Sequence, residues 1–345
     1  MTSPGDFSIS PFDGDSASWD RCAAAAVDGT FCHLAGWRRI MADVLGHECV
    51  YLVALDRDGT WAGLLPLVRV RSRLFGHYLV SLPFLSYGGP IGEAGAQERL
   101  AAEALAIAAR SDADLLELRT RHAITGDLRP SLRKIAVVLE LPDSAAALWT
   151  SFPSKLRSQI RRPLKEEMDV RFGREQLHAF YDVYARTMHG LGTPALPGRF
   201  FEDVAATFGA YVDLGAVYLE GLPVAAGFGF HWRDEFELTW AGSLRALRPR
   251  APNMLLYWAF MERMIGRGTR RFNFGRSTPG GGAHRFKEQW GGVNLTLPWL
   301  QWSPRRIDQT PSPERPVYRM ARAAWRRLPL SVANRLGPRL ARQLP

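Results

Sequence analysis

The sequence predicts an α/β (α+β) fold in which two similar units follow one another, with a basic helical tail at the C-terminal end. A length of 345 residues exceeds what one hydrophobic core usually serves. Strand-like and helix-like segments alternate along most of the chain. Finally, YLVALDRDGTWAGLLPL (51–67) resembles AVYLEGLPVAAGFGF (216–230), because each reads as a strand, a tight turn and a strand with small residues. A repeat of one unit and a coincidence between two hairpins both remain open.

The first half predicts one mixed unit. Residues 31–46 have the apolar spacing of an amphipathic helix that ends at Gly46. The turn DRDG (56–59) predicts a hairpin between its flanking strands. The other predicted elements are strands at 48–55, 61–70, 114–120 and 134–141 and an Ala-rich helix over 96–110.

The second half predicts a similar order of elements. Residues 145–170 favour helix and are strongly basic in the middle. The helix over 252–268 carries apolar residues on nearly every side, so we expect it to be buried. The remaining predicted elements are helices at 180–192 and 197–209 and strands at 216–220, 221–232, 235–243 and 270–275.

The positive charge is concentrated in the tail. The chain has a formal net charge of +10, but residues 301–345 hold ten Arg and only two acids, Asp308 and Glu314. The tail therefore carries +8 and the rest of the chain +2, which argues against a protein that binds nucleic acid throughout. Arg319, Arg322 and Arg326 share one face of a helix. This face could be the solvated side of a helix docked on its own domain. It could equally bind an anionic membrane or an RNA backbone.

The cysteines and the N-terminus predict a cytoplasmic protein. Three Cys without a framework spacing favour a reducing compartment. Neighbouring His and Glu residues raise the alternative of a metal site, but free Cys usually packs as a small apolar residue, and we predict no metal. The segment MTSPGDFSIS lacks the basic and apolar regions of a signal peptide.

The segment RFNFGRSTPGGGAHRFKEQWGG (271–292) combines flexible backbone with charge. Consecutive glycines let backbone N–H groups approach an anion or a carbonyl oxygen. An arginine at the end of a strand offers a bidentate contact to phosphate or carboxylate. A lysine between aromatic side chains suits a charged ligand. The predicted binding residues are Arg276, Ser277, Gly280, Gly281, Gly282, Phe286, Lys287 and Trp290.

The sequence leaves the general base open. Glu237 shares a strand face with Thr239 and could point into a cleft or into solvent. His284 lies in the loop and titrates near neutrality. No Ser-His-Asp set and no Cys nucleophile stand out, so direct transfer is favoured over a covalent intermediate. Lys287, Arg276, Glu237 and His284 are the predicted catalytic residues.

Several segments resemble the FemAB-like branch of the acyltransferase superfamily, and more narrowly the FemAB-related proteins associated with PEP-CTERM and exopolysaccharide systems. The segments are LRSQIRRPLKEEMDVRFG (156–173), RTMHGLGTP (186–194), TWAGS (239–243), PNMLLYWAFMERMIGRG (252–268), FNFGRS (272–277) and RFKEQWGG (285–292). The resemblance implies two tandem acetyltransferase-type (GNAT) domains, each a mixed, mostly antiparallel sheet flanked by helices. The implied division is an N-terminal extension (1–29), a first domain (30–150), a second domain (151–303) and the tail (304–345).

The resemblance also implies roles for particular residues. In the peptidoglycan-acting relatives an aromatic-Lys pair contacts the aminoacyl donor, and Phe286-Lys287 matches that pair. Basic residues after the first domain, here Lys155, Arg157 and Arg161, are implied contacts for an anionic substrate. The expected protein is an acyl- or aminoacyltransferase acting on an envelope or exopolysaccharide precursor. Its partner is an anionic glycan or lipid-linked precursor, with a peripheral contact to the inner membrane through residues 311–345.

The donor and one alternative function stay open. The family's phosphate-binding glycine turn has no counterpart in SLRALRPRAPNML (243–255), and the long helical hairpin that serves tRNA in some relatives is missing. The donor is therefore an acyl-CoA, an acyl carrier or, less favoured, an aminoacyl-tRNA, with no tightly bound cofactor. The alternative is a catalytically silent GNAT-like scaffold that binds polysaccharide machinery at the membrane.

Overall fold

The computed structural model of the protein describes residues 6–12, 14–72, 75–304 and 316–344, so 305–315 of the predicted tail lie outside the described residues. The chain forms two compact units. As far as their residues are described, unit 1 comprises Met1–Lys134, Thr296–Ser312 and Arg342–Pro345, and unit 2 comprises Ile135–Leu295 and Pro313–Ala341. None of the described helices is long and apolar enough to cross a lipid bilayer. The four-part division inferred from the resemblance stays a prediction.

Every predicted strand is present in the predicted order, and the structure adds strands at 8–11, 76–80, 91–92, 169–172 and 293–302, of which 169–172 follows the predicted helical region 145–170 earlier than expected. The described strands are β1 (Ser8–Pro11), β2 (Glu48–Leu55), β3 (Trp61–Ser72), β4 (Gly76–Val80), β5 (Ile91–Gly92), β6 (Leu115–Leu118), β7 (Arg129–Glu140), β8 (Asp169–Phe172), β9 (Val212–Leu219), β10 (Leu222–Trp232), β11 (Glu235–Ser243), β12 (Arg271–Ser277) and β13 (Val293–Trp302). The described helices are α1 (Ser16–Ala25), α2 (Gly36–Arg39), α3 (Ala94–Arg110), α4 (Ala145–Ser151), α5 (Ser154–Leu164), α6 (Leu177–Leu191), α7 (Gly198–Thr207), α8 (Pro252–Gly266), α9 (Gly282–Glu288), α10 (Pro316–Trp325) and α11 (Leu330–Ala341).

Unit 1 is built on a sheet with the strand order β1-β2-β3-β4-β6-β13. Its pairs are antiparallel except β4 with β6, which run parallel. The predicted DRDG hairpin joins β2 to β3, and the Asp56 carboxylate accepts hydrogen bonds from the N–H groups of Asp58 and Thr60. Helix α3 packs its Leu and Ala side chains on the sheet. Residues 296–302 of β13 complete this unit, although they come from the far end of the sequence.

Unit 2 repeats this order in the strands β8-β9-β10-β11-β12-β7. Again one pair, β11 with β12, is parallel and the others are antiparallel. Helix α8 connects the parallel pair, as α3 does in unit 1, and it is buried as its sequence predicts. Its Phe260 stacks on Phe236 of β11 with ring centroids 5.5 Å apart. The predicted repeat of one α/β unit is confirmed.

The predicted single helix over 31–46 is wrong in detail. The structure forms a 3-10 turn at Phe31–His33, then α2, and then a π-helical turn at Ile40–Val44. The His33 ring accepts a hydrogen bond from the Thr30 N–H at 3.1 Å and contacts the Thr30 hydroxyl at 3.0 Å. These hydrogen bonds cap the N-terminus of the 3-10 turn, which ends at Leu34 because that residue adopts an extended conformation. Side-chain hydrogen bonds to the backbone compete here with continuous helix.

A buried ion pair organises the loop after β4. The Glu117 carboxylate accepts hydrogen bonds from Arg119 Nε at 3.0 Å and from Gln301 Nε2 at 2.8 Å. Arg119 Nη1 donates to the carbonyls of Leu82 at 3.1 Å and Leu85 at 2.9 Å. Leu82 has a positive φ of 52°, a conformation that costs L-residues about 1–2 kcal/mol. The guanidinium therefore holds a strained loop in place.

We expect Glu117→Ala to destabilise unit 1 by about 3–5 kcal/mol, because it leaves the buried Arg119 charge without its carboxylate. Replacing both residues, by Glu117→Met with Arg119→Leu, should cost less than the single change. Denaturant unfolding of the three proteins measures this. Equal losses in the single and double variants would show that the unpaired charge is not the cause.

Candidate active site

The candidate site lies where the parallel strands of unit 2 separate. β11 and β12 pair only from Glu235–Glu237 to Arg271–Asn273, yet β11 continues to Ser243 and β12 to Ser277. The register of β12 on β7 also shifts between Asn273 and Arg276. At this fork the backbone carbonyls of β12 lose their partners on β11. Buried carbonyls need another donor.

Lys287 supplies that donor. Helix α9 carries its side chain into the fork, where the ammonium donates to the carbonyls of Gly275 at 2.8 Å and Arg276 at 2.9 Å. Lys287 is 8% exposed. Burial lowers the pKa of its amine to about 8, while the Glu237 carboxylate acts in the opposite direction and the Arg276 charge adds to the lowering. An ammonium has three N–H donors, so two are used by carbonyls.

Glu237 lies on the other arm of the fork. It is 1% exposed, and its Oε1 is 3.4 Å from the Thr239 hydroxyl. Gly275 stands between the two charged groups: a methyl added there would lie 3.6 Å from Glu237 Oε1 and 4.0 Å from Lys287 Nζ. Gly275 also has φ +70°, a conformation that glycine adopts readily. Gly275 thus lets the Glu237 carboxylate of β11 and the Lys287 ammonium of α9 both lie close to its backbone.

His284 holds the glycine loop. Its Nδ1 accepts a hydrogen bond from the Gly280 N–H at 3.0 Å. Its Nε2 therefore carries the proton and faces Asn294 Oδ1 and Glu288 Oε1, each at 3.1 Å. Both ring nitrogens are engaged within the protein, so this geometry favours a positioning role over that of a base. The loop glycines Gly280 and Gly282 are exposed, and Gly281 is half-buried.

The aromatic partners of Lys287 belong mainly to the core. Trp290 is buried, and Phe286 is half-buried with its ring 5.0 Å from that of Tyr257. Ser277 is buried on β12, and its hydroxyl has no hydrogen-bond partner among the described residues. The structure thus brings the predicted residues of β11, β12 and α9 together. Gly275 was missed; the only signal in the sequence is its place before Arg276 in FNFGRS.

The predicted basic residues of α5 form a separate feature, which we call the α5 groove. It has a volume of about 700 Å³, and its described lining comprises Ser154, Arg157, Ser158, Gln159, Arg161, Arg162 and Lys165. The Arg161 guanidinium lies over the Trp149 ring, 5.0 Å from its centroid. Lys155 is exposed and is not part of the lining. Arg162 and Lys165 were missed, although the spacing of Arg157, Arg161 and Lys165 places them along one side of a helix.

Comparisons with known proteins match this architecture. Residues 151–288 match the family described as an acetyltransferase (GNAT) domain. A curated relative, the UDP-N-acetylmuramoylpentapeptide-lysine N(6)-alanyltransferase of Weissella viridescens, is 24% identical over 141 residues, which cover 38% of this chain and 41% of that protein. The crystal structure of FemX has a TM-score of 0.62 at 14% identity and covers 91% of this chain and 100% of its own. A tandem GNAT protein from the clavulanic acid pathway has a TM-score of 0.51 at 11% identity, covering 89% and 99%.

The family match places an acetyltransferase-type (GNAT) domain at residues 151–288, and the two solved structures share the fold of this chain. The similarity to the alanyltransferase and to the FemX structure agrees with the FemAB-like resemblance of the sequence motifs. The chain spans about two fifths of the length of that curated relative. The narrower link to PEP-CTERM systems stays a prediction.

The lowered pKa of Lys287 predicts a pH-dependent stability. An amine whose pKa falls from 10.5 to about 8 on folding binds fewer protons in the folded state across that interval. The free energy of unfolding should therefore rise as the pH increases from about 8 to 10.5. Thermal unfolding midpoints of the wild type and Lys287→Met, compared across this range, measure the contribution, with Lys155→Met at an exposed lysine as the control. The same pH slope in Lys287→Met would contradict the assignment.

Proposed function

We propose that the protein transfers an acyl or aminoacyl group directly to an amine or hydroxyl of a cell-envelope or exopolysaccharide precursor. The observation that carries this proposal is the buried Lys287 ammonium, fixed by two carbonyls at the fork between β11 and β12. Two of its three donors are held, so the third is available to a ligand without reorganisation. A fixed cation in a site that excludes water stabilises developing negative charge strongly.

The reaction would proceed in two steps. The acceptor nitrogen or oxygen attacks the donor carbonyl carbon, a new bond forms, and the carbonyl electrons move onto oxygen as an oxyanion. The remaining N–H of Lys287 meets this oxyanion. When the carbonyl reforms, the bond to the donor's leaving group breaks; the leaving group departs with the electron pair and takes up the proton that the acceptor loses. This scheme needs no nucleophile from the protein.

Glu237 would keep the lysine charged during this reaction. Burial alone favours the neutral amine, and the carboxylate opposes that effect. The same carboxylate is the nearest predicted base to the fork, since both nitrogens of His284 are engaged elsewhere. Phe286 and the exposed glycines of the loop would contact the acyl group, and Arg276 and Ser277 would contact the polar part of the donor.

The α5 groove would bind the anionic part of a substrate. Four cations line it and its described lining holds no carboxylate, which suits phosphate or another polyanion. A volume of about 700 Å³ is in the range of small-molecule sites. A lipid-linked or anionic glycan precursor would satisfy this chemistry. The donor is an acyl-CoA, an acyl carrier or an aminoacyl-tRNA, and the name of the alanyltransferase relative favours an aminoacyl group.

We expect Lys287→Met to lower kcat/KM by a factor of about 10²–10³, the usual loss for one oxyanion donor. Glu237→Gln should cause a smaller loss and shift the pH profile, because the lysine would lose its stabilising carboxylate. The assay follows labelled alanine from alanyl-tRNA to UDP-N-acetylmuramoyl-pentapeptide, with labelled acetyl-CoA as a second donor. Mass spectrometry of co-purifying small molecules identifies the donor if neither is accepted.

The matched control is Lys155→Met, an exposed lysine that does not line the α5 groove, which should retain the wild-type rate. A Lys287→Met protein that folds normally and turns over its donor at the wild-type rate would remove the basis of the proposal.

We further expect Arg157→Ala and Arg161→Ala to raise KM for the anionic substrate about tenfold each while kcat changes little, as for loss of a charge-assisted hydrogen bond. Lys155→Ala serves as the comparison on the same helix, because Lys155 does not line the groove. An equal effect of all three changes would point to the overall charge of α5 and not to the groove.

A further inference from the structure

The two tail helices combine positive charge with exposed apolar side chains. The described tail, residues 316–344, contains seven Arg and no Asp or Glu. It folds as α10 and α11, separated by residues 326–329. Helix α10 and α11 each have a strongly one-sided distribution of apolar residues. Such helices need a surface on which to lie.

One face of these helices is attached to unit 2. Ala333, Gly337 and Ala341 are buried at a spacing of four residues, and a methyl on Gly337 would lie 3.3 Å from the Ala195 backbone nitrogen. This close approach fixes α11 against its own unit. The inner face of α11 is therefore already covered by unit 2.

The end of α6 provides a second attachment. The Arg322 guanidinium donates to the Leu191 carbonyl through Nε at 3.0 Å and Nη2 at 2.8 Å. His189 Nε2 lies 2.9 Å from the Leu328 carbonyl. A cation at the C-terminal end of a helix is favoured by the helix dipole. Arg322 thus contacts the end of α6 and is part of the attachment of the tail to unit 2.

The outer face carries apolar side chains that the fold does not cover. Met320 is 74% exposed, Val332 39% and Leu336 40%. The exposed arginines of the same two helices and their connection are Arg319, Arg326, Arg327, Arg335 and Arg339. In α11 the spacing places Val332, Arg335, Leu336 and Arg339 away from the buried Ala333, Gly337 and Ala341. We call the outward-facing residues of α10, of α11 and of their connection together the tail face.

We propose that the tail face docks on an anionic lipid bilayer. Interfacial helices insert apolar side chains at the boundary between headgroups and acyl chains, while arginines reach the lipid phosphates. The positive charge of the tail complements an anionic leaflet, which attracts each Arg close to its surface. An RNA backbone would also attract the arginines, but exposed Met320, Val332 and Leu336 gain nothing from phosphates. A bilayer offers a binding partner both for the arginines and for the exposed apolar side chains.

This inference does not rest on the proposed reaction. A bilayer contact through α10 and α11 holds unit 2 at the membrane whether or not the fork is catalytic. If the protein acts on a lipid-linked precursor, docking places the enzyme where that substrate resides.

Co-sedimentation of the full chain with vesicles tests the proposal. We expect binding to phosphatidylcholine vesicles that contain phosphatidylglycerol, little binding to phosphatidylcholine alone, and weaker binding at about 0.5 M salt. Arg327→Glu with Arg335→Glu should weaken binding at least tenfold. Met320→Ser with Leu336→Ser should weaken it severalfold at unchanged charge. Exposed residues elsewhere supply the controls, Val27→Ser with Val293→Ser and Arg199→Glu with Arg270→Glu, which should bind as the wild type does.

The outcomes separate membrane from RNA. Equal binding to both vesicle types, or wild-type binding by the Met320→Ser, Leu336→Ser protein, would overturn the proposal. So would binding of single-stranded RNA that the arginine variants lose and the apolar variants keep, together with no vesicle binding. Circular dichroism confirms that each variant is folded, and the apolar pair tests the proposal by itself if the charge-reversed protein does not fold.

Discussion

The interaction on which the site depends is the contact of one buried ammonium with two carbonyls. Parallel strands that separate leave backbone groups without partners, and a low-polarity interior makes unpartnered carbonyls costly. Lys287 of α9 meets this need at Gly275 and Arg276. The same contact fixes the lysine side chain in one conformation. It therefore supplies donors to the two carbonyls and holds a cation in a fixed position at the fork. His284 also stabilises this arrangement, because its Nδ1 accepts a hydrogen bond from Gly280 in the loop that leads into α9.

In both units the parallel strands separate, but different side chains fill the space between them. In unit 1, β4 and β6 pair from Tyr78–Val80 to Leu115–Glu117 and then separate, as β11 and β12 do in unit 2. Arg119 in unit 1 and Gly275 in unit 2 occupy equivalent positions. Each lies two residues after the last residue of its strand that pairs with the parallel neighbour. Arg119 turns back onto Glu117 and onto the loop after β4, so an internal ion pair occupies its fork. In unit 2 the glycine leaves room for a side chain from another element.

The periodic parts of the fold could be predicted from sequence, because apolar spacing and turn chemistry are local. The DRDG hairpin, the buried helix α8 and the repeat of one unit are of this kind. The interrupted helix at 31–46 was not predictable, since Leu34 adopts an extended conformation although the apolar spacing continues through it. Within the site, Lys287 and Phe286 came from a motif, whereas the burial of Glu237 depends on the strand pairing around it. A strand glutamate looks the same in sequence whether it faces solvent or a cation.

The strand order of unit 1 has a consequence for synthesis of the chain. Strand β6 receives its neighbour β13 only after all of residues 135–295 have been made. While the ribosome works through that stretch, the edge of β6 presents open hydrogen-bonding groups, which are a template for mispairing with other chains. Unit 1 therefore cannot complete its fold before residues 296–302 of β13 have been synthesised. Truncation shortly before residue 296 would leave an aggregation-prone remnant even though most of that unit had been translated.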